Sequence, residues 1–215
     1  MERMSILEEV SSKTGDRTEA SNKRVAEQAL SKPALLKQIA DGVASTDSKL
    51  AGDCAEVMTN VAAVKPKLVV PYANSLIAQI DHKDTRVRWE SMHSIAEIAS
   101  SIPDKISPLV PRLAVKIADD KSVIVRDYAI LTLGEYGGTT PKAAKQVWPH
   151  LHKALHLWEG KHAGKVLEAM YKVVSIDASL KGDAQKLARQ LENHERATVR
   201  TMAKRLLKEK PVKTR

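Results

Sequence analysis

Apolar residues recur along this chain on two superimposed periods. The short one is helical. In "RVRWESMHSIAEIASSIP", residues 86–103, Trp89, Met92, Ile95, Ala96, Ile98 and Ala99 fall on one stripe. Leu76, Ile77 and Ile80 do the same in the preceding stretch, and Leu109, Leu113 and Ile117 in the following one. The long period is marked by prolines: Pro66, Pro103 and Pro141 are 37 and 38 residues apart, Pro71 and Pro108 are 37, and Pro111 and Pro149 are 38. A Val-Arg pair keeps the same interval, with Val87-Arg88 and Val125-Arg126 separated by 38 and Val199-Arg200 following after 74.

Self-similarity at this interval predicts a tandem repeat. Five units emerge, at 33–66, 67–103, 104–144, 145–181 and 182–209. Each reads as a helical hairpin. A proline-interrupted first helix leads to a short Asp-bearing turn ("DHKDT", "DDKS"), and a second helix carries the apolar stripe. Asp84 and Asp120 are placed to cap the second helix, and Gly137-Gly138 or Ser100-Ser101 to release it before the next proline. One hairpin cannot bury its apolar face alone, so neighbouring hairpins must stack into a continuous core. The expected fold is all-α, a right-handed α-solenoid of about five hairpins. Of the first 32 residues, "SSKTGDRTEASNKR" reads as a polar loop, and "EASNKRVAEQALSKP" as a helix with Val25, Ala26, Ala29 and Leu30 on one side. That helix is expected to cap the open end of the array, with the solenoid over 33–209 and a basic tail at 210–215.

The Pro-interrupted first helix, the turn Asp and the Val-Arg opening the second helix resemble the HEAT-repeat group of armadillo-like proteins. "VRDYAILTLGEYG" is the best single match, and unit four, with "WEGKHAGKVLEAM", departs by lacking Val-Arg. The resemblance implies a structural Asp/Arg ladder, matched here by Asp84, Arg88, Asp120, Arg126 and Arg200. It also implies scaffold or adaptor roles. Some HEAT-like proteins are DNA glycosylases with a basic, Trp-lined face and an acidic residue; Trp89, Trp148 and Trp158 with Asp127 are the residues that role would use here. Others are di-iron enzymes with repeated His-Glu pairs, of which this chain has one, His194-Glu195.

Composition narrows the chemistry. Helix formers dominate, there is no Phe, and aromatic residues are 3% of the chain, against a fold of many short strands. Cys54 is the only cysteine, which fits a reducing compartment, and its place in the stripe of "AGDCAEVMTNVA" predicts a buried, inert thiol. The opening "MERMSILEEVSSKTGDR" bears acids where a secretory signal needs an apolar core, and no apolar run is long enough to span a membrane. A cytoplasmic protein without a membrane span is expected. No phosphate-cradling glycine loop, dinucleotide fingerprint or nucleophile elbow occurs, so no cofactor and no catalytic residue is assigned.

Charge is unevenly spread. Residues 1–180 hold 24 basic and 22 acidic side chains, while 181–215 hold 11 and 4. In "RATVRTMAKRLLKEKPVKTR", Arg196, Arg200, Lys204 and Lys208 share a helix face, with Val199, Met202, Ala203, Leu206 and Leu207 turned inward. This end serves either as the polar cap of the last repeat or as a contact for nucleic acid or another anion. Flanking the stripes of the second helices, Glu56, Asn60, Glu90, Glu97, Asp127 and Glu135 make the concave face acidic, which suits a basic protein or peptide partner. His152 and His156, four apart in "WPHLHKALHLWEGKH", are weaker candidates for a metal, with His150, His162 and Glu159 nearby; the competing reading is a helix whose Trp148 and Trp158 pack into the core. The first expectation is a non-catalytic interaction scaffold, the second a nucleic-acid-binding protein acting through the basic end.

Overall fold

The computed structural model describes residues 5–208. Its contacts divide the chain into two compact bodies, Met1–Ile102 and Pro103–Arg215. Among the described residues every regular element is a helix, and no helix is long and apolar enough to cross a membrane.

In the first body a one-turn helix α1 (Ser11–Thr14) and α2 (Ala20–Ser31) precede two hairpins. The first hairpin is α3 (Leu36–Val43) and α4 (Ser48–Val64). The second begins with α5 (Pro66–Val69) and α6 (Ala73–Ile77), split by a 3-10 turn at Val70–Tyr72, and closes with α7 (Thr85–Ile98). Pro66 starts α5, where its missing N–H costs nothing, and Pro71 breaks the first helix into two pieces. Asp47 and Asp84 cap α4 and α7 through their side chains.

The second body repeats the scheme. A 3-10 turn containing Pro108 splits α8 (Pro103–Ile106) from α9 (Val110–Asp119), which pairs with α10 (Val123–Gly137). Then come α11 (Pro141–Ala154) with α12 (Ala163–Ile176), and α13 (Lys181–Leu191) with α14 (Ala197–Lys208). The α10 cap differs from expectation. Ser122 caps it, accepting from the Val125 N–H, while Asp120 ends α9 and accepts from the Ser122 N–H. Ser122, 38 residues after Asp84 and in register with it, is the residue that stands at the first free amides.

Packing follows the apolar stripes. The second helices lie side by side: α4 against α7 in one body, and α10 against α12 and α12 against α14 in the other. Met92, Ile95, Ala96, Ile98 and Ala99 are buried as the stripe requires, with Trp89 half-buried at its edge. Helix α4 is enclosed by α2, α3 and α7, and Cys54 inside it is buried, with burial pushing its thiol up to about 12. The polar N-terminal stretch is ordered rather than loose. Gly15 takes a left-handed turn at φ 73°, and the Asp16 carboxylate accepts from the Thr18 N–H at 2.7 Å and the Ser21 N–H at 2.9 Å. Within α2, Val25, Ala26 and Ala29 are buried and Leu30 partly so.

Glycines in α10 reflect space more than chain reversal. Gly138, which ends the helix, has an ordinary φ of −75°. A Cβ on Gly137 would stand 2.5 Å from Val147 Cγ2, and one on Gly134 2.7 Å from Ala169 Cβ and 2.8 Å from its Cα. The backbones of α10 and α12 touch there, so Gly134→Ala is expected to cost about 1–3 kcal/mol by overpacking. Denaturant unfolding checks this, with Ala169→Gly in the same chain expected to restore part of the loss.

Candidate functional site

The second helices turn one face toward their stacked neighbours and an adjoining face toward solvent. In the first body the polar residues of α4 are buried instead, under α2, where they form a network with α1, α2 and α7. The Asn22 amide donates to Asp53 Oδ1 at 3.0 Å and to Glu56 Oε2 at 2.9 Å. Arg86 Nη2 reaches Asp53 at 2.7 Å and Glu56 at 2.5 Å, and the Ser12 N–H donates to Asp53 Oδ2 at 2.7 Å. Four helices are thereby joined: α1, α2, α4 and α7. Burial pushes the Asp53 carboxyl up, but the hydrogen bonds from Ser12 and Asn22 and the guanidinium of Arg86 outweigh it and hold the group below the usual carboxylate range.

Glu56 was expected at a partner-facing surface. It is only 6% exposed and its Oε2 is bound by Asn22 and Arg86, so it holds the body together as well as lining the surface. Glu90, one helix on, is different. It accepts the Trp89 indole N–H at 2.7 Å and has no ion pair among the described residues; burial, with the charge of Glu56 adding, pushes its carboxyl above the usual range. Glu97 is exposed, 3.6 Å from His93. Asn60 is partly exposed, and its buried Nδ2 has no hydrogen-bond partner among the described residues.

In the second body Asp127 sits on α10 with its Oδ1 2.6 Å from His162 Nδ1. Arg126 Nε donates to His162 Nε2 at 2.9 Å, which leaves the imidazole proton on Nδ1, donated to Asp127. His162 and Arg126 are both buried. Farther along α10, Glu135 pairs with Lys172 of α12.

The repeated arginine has a common task. Arg88, Arg126 and Arg200 each donate from Nη1 to the backbone carbonyl six residues earlier: His82 at 2.8 Å, Asp120 at 2.5 Å and His194 at 2.8 Å. Each arginine thus closes its own hairpin turn. Unit four has no such arginine, and its connection is the irregular one. Trp158 and Glu159 are left-handed at φ 53° and 55°, followed by Gly160 at 68°. Two non-glycine residues in this region cost about 1–3 kcal/mol each. Three contacts compensate. The Trp158 indole N–H donates to the Ile117 carbonyl at 3.0 Å, the Arg126 guanidinium lies 3.8 Å over its ring, and Arg196 of the next hairpin donates to the Gly160 and Lys161 carbonyls. Trp158 is consequently 40% exposed, contrary to the core position expected for it, whereas Trp148 is buried.

These contacts bear on the basic end. Val199, Ala203 and Leu206 pack inward from α14, with Met202 and Leu207 partly buried. Arg196 and Arg200 are engaged by backbone carbonyls, Arg205 stacks on Tyr171, and Lys204 and Lys208 are exposed. The tail with Lys210, Lys213 and Arg215 lies outside the described residues. His152 and His156 are exposed with their rings 6.0 Å apart, and among the described residues no group of three or more His, Cys, Asp or Glu side chains is placed to hold a metal ion.

No protein-family model and no curated protein matches the sequence. Solved structures do match. One is an engineered protein, 19% identical, aligned over 95% of this chain and 98% of its own at a TM-score of 0.68. Another engineered protein is 17% identical over 95% and 96%, also at 0.68. A designed armadillo repeat protein, determined in complex with the peptide (KR)4, is 14% identical over 94% and 96% at 0.70. The fold is therefore that of an armadillo-like helical-repeat solenoid.

Two carboxyls with opposite shifts predict opposite pH behaviour. Asp53, held low in the fold, contributes stability that is present above the unfolded carboxylate pKa and lost as pH falls through its folded value. Glu90, held high, contributes stability that is present below the unfolded value and lost as pH rises through the folded one. Asp53→Asn should therefore be destabilising at neutral pH and approach the parent in acid, while Glu90→Gln should be more stable than the parent at neutral pH and equal to it in acid. Denaturation midpoints measured from pH about 3 to 7 check both signs.

Proposed function

We propose that this chain is a non-catalytic binding scaffold, a HEAT-type variant of the armadillo-like architecture, whose second-helix faces receive a Lys/Arg-rich protein segment. The observation that carries this reading is the uncompensated carboxylate on α4 and α7. Arg86 pairs with Asp53 and Glu56 there, Glu97 is exposed, and Glu90 is half-buried without an ion pair among the described residues. A desolvated acid without its own cation is costly in the free protein and favourable once a cation arrives. Asp127, fixed from behind by His162, offers an acid on α10 in the same manner. A designed protein of the same fold holds a peptide named (KR)4, which supports a basic ligand for such a surface. The same proposal places the protein in a reducing, cytoplasmic compartment, as its one buried cysteine suits.

The alternative, nucleic acid at the basic end, must rest on Lys204 and Lys208, since Arg196 and Arg200 already bind backbone. One titration separates the two. Fluorescence anisotropy with a labelled alternating Lys/Arg peptide and with a mixed-sequence DNA duplex should show binding of the peptide that weakens with salt. The double change Glu90→Gln, Glu97→Gln should weaken it by about three- to tenfold, roughly 0.5–1 kcal/mol for each charge removed. Binding of the duplex but not of the peptide, lost on Lys204→Glu with Lys208→Glu, would overturn the scaffold reading.

A further inference from the structure

We propose that His162 is a proton-sensitive latch on the turn that connects α11 to α12: its neutral imidazole holds Arg126 on the Trp158 ring, and protonation releases the guanidinium and loosens the turn. The inference stands on the second body alone and does not depend on what the scaffold binds.

Both ring nitrogens of His162 are engaged, and in opposite senses. Nδ1 lies 2.6 Å from Asp127 Oδ1, and Nε2 accepts from Arg126 Nε at 2.9 Å. Only the neutral ring can do both, because its single proton must sit on Nδ1 for Nε2 to accept. A second proton would put an N–H on Nε2 facing the N–H of Arg126, donor against donor and cation against cation. His162 and Arg126 are each 3% exposed, so water does little to screen the two charges.

The surrounding charges decide which contact a proton breaks. A cleft of about 510 Å³ opens in front of the imidazole, and its charged lining is Asp127, Lys161, Lys165, Glu168 and Arg196. Glu168 has Lys165 at 3.6 Å, Lys161 is exposed, and Arg196 is spent on the Gly160 and Lys161 carbonyls. Behind Arg126, the Asp120 carboxylate lies 3.5 Å from Lys116. Glu159, in the turn itself, is exposed and lines a separate cleft with His156 and His194. Asp127 is thus the one acid in contact with the ring, and it pairs with Nδ1–H in either protonation state. An imidazolium keeps Asp127 and loses Arg126.

The loss falls on the strained turn. Trp158 and Glu159 have φ of 53° and 55°, a backbone that residues with side chains adopt only where contacts hold them to it. The Arg126 guanidinium is kept 3.8 Å over the Trp158 ring by two anchors, Nε on His162 and Nη1 on the Asp120 carbonyl at 2.5 Å. With the first anchor gone the group can pivot about the second and leave the ring. Trp158 then keeps its indole bond to the Ile117 carbonyl, and Arg196 its bonds to the Gly160 and Lys161 carbonyls, without the cation that lay on the indole. A buried histidine that changes its partners on protonation, next to a strained element, is the arrangement a pH-responsive turn requires.

Spectra of the full chain test this directly. The Trp158 indole N–H signal and the His162 ring signals, assigned sequentially through the backbone, are followed by NMR from pH about 8 to 5, where histidines change charge. The Trp158 signal should move along a one-proton curve whose midpoint coincides with that of the His162 ring. In His162→Gln the pH dependence of the Trp158 signal should be lost, because the glutamine amide can accept from Arg126 and donate to Asp127 but takes up no proton. The comparison of midpoints within the parent chain decides the matter even if that variant folds poorly. A Trp158 signal that stays still while His162 titrates, that follows a different midpoint, or that moves equally in His162→Gln would overturn the latch. So would a His162 ring that takes up no proton before the fold is lost.

Discussion

Close approach of the second helices is the constraint from which most of this structure follows. A helical hairpin has an apolar face on its second helix that water would penalise, and the only surface available to cover it is the next hairpin. Where α10 meets α12 the backbones come near enough that Gly134 has no room for a methyl group beside Ala169, and Gly137 is held between Val147 and Val173. Packing at that distance sets the second helices in a row. It also brings the polar residues beside their stripes into register, and this is how groups tens of residues apart come within hydrogen-bonding range.

The turns are held by a different kind of interaction. In three hairpins an arginine near the start of the second helix reaches back to a carbonyl six residues earlier, converting exposed backbone acceptors into charge-assisted bonds. The fourth hairpin lacks that arginine, and its connection runs through two strained non-glycine residues. The strain is balanced from outside, by Arg126 under the Trp158 ring and by Arg196 on the Gly160 and Lys161 carbonyls. His162 is thereby delivered to a buried position between Arg126 and Asp127, where it fixes the carboxylate.

Electrostatics in the first body show how one set of residue types serves two ends. Asp53 is fully partnered, and its hydrogen bonds dock the N-terminal turn and α2 onto α4. Glu90, on the neighbouring helix, has no ion pair among the described residues, and burial pushes its carboxyl above the usual range against the opposing pull of Trp89 and Arg86. Glu56 belongs with Asp53, its Oε2 bound by both Asn22 and Arg86. A buried acid network of this kind stabilises only when its members are satisfied, which is why Asn22, Ser12 and Arg86 converge on Asp53 and Glu56.

Much of the architecture was legible in the sequence. Pro66, Pro103 and Pro141 marked the hairpins because proline suits the first turn of a helix, and the buried stripe of α7 followed from its spacing; Pro149 was expected to interrupt its helix, but α11 runs unbroken through it. Asp84 was recognisable as a cap for the same local reason. Spacing did not reveal which polar residues meet. Ser122 took the cap expected of Asp120, Glu56 was drawn inward by Asn22 and Arg86, Trp158 was turned to the surface, and His162 was placed against Asp127. Apolar periodicity is a property of one helix, written in consecutive residues. Whether a carboxylate is spent on a neighbour or left to a ligand depends on side chains about 30 or more positions away, and only the packed tertiary structure decides it.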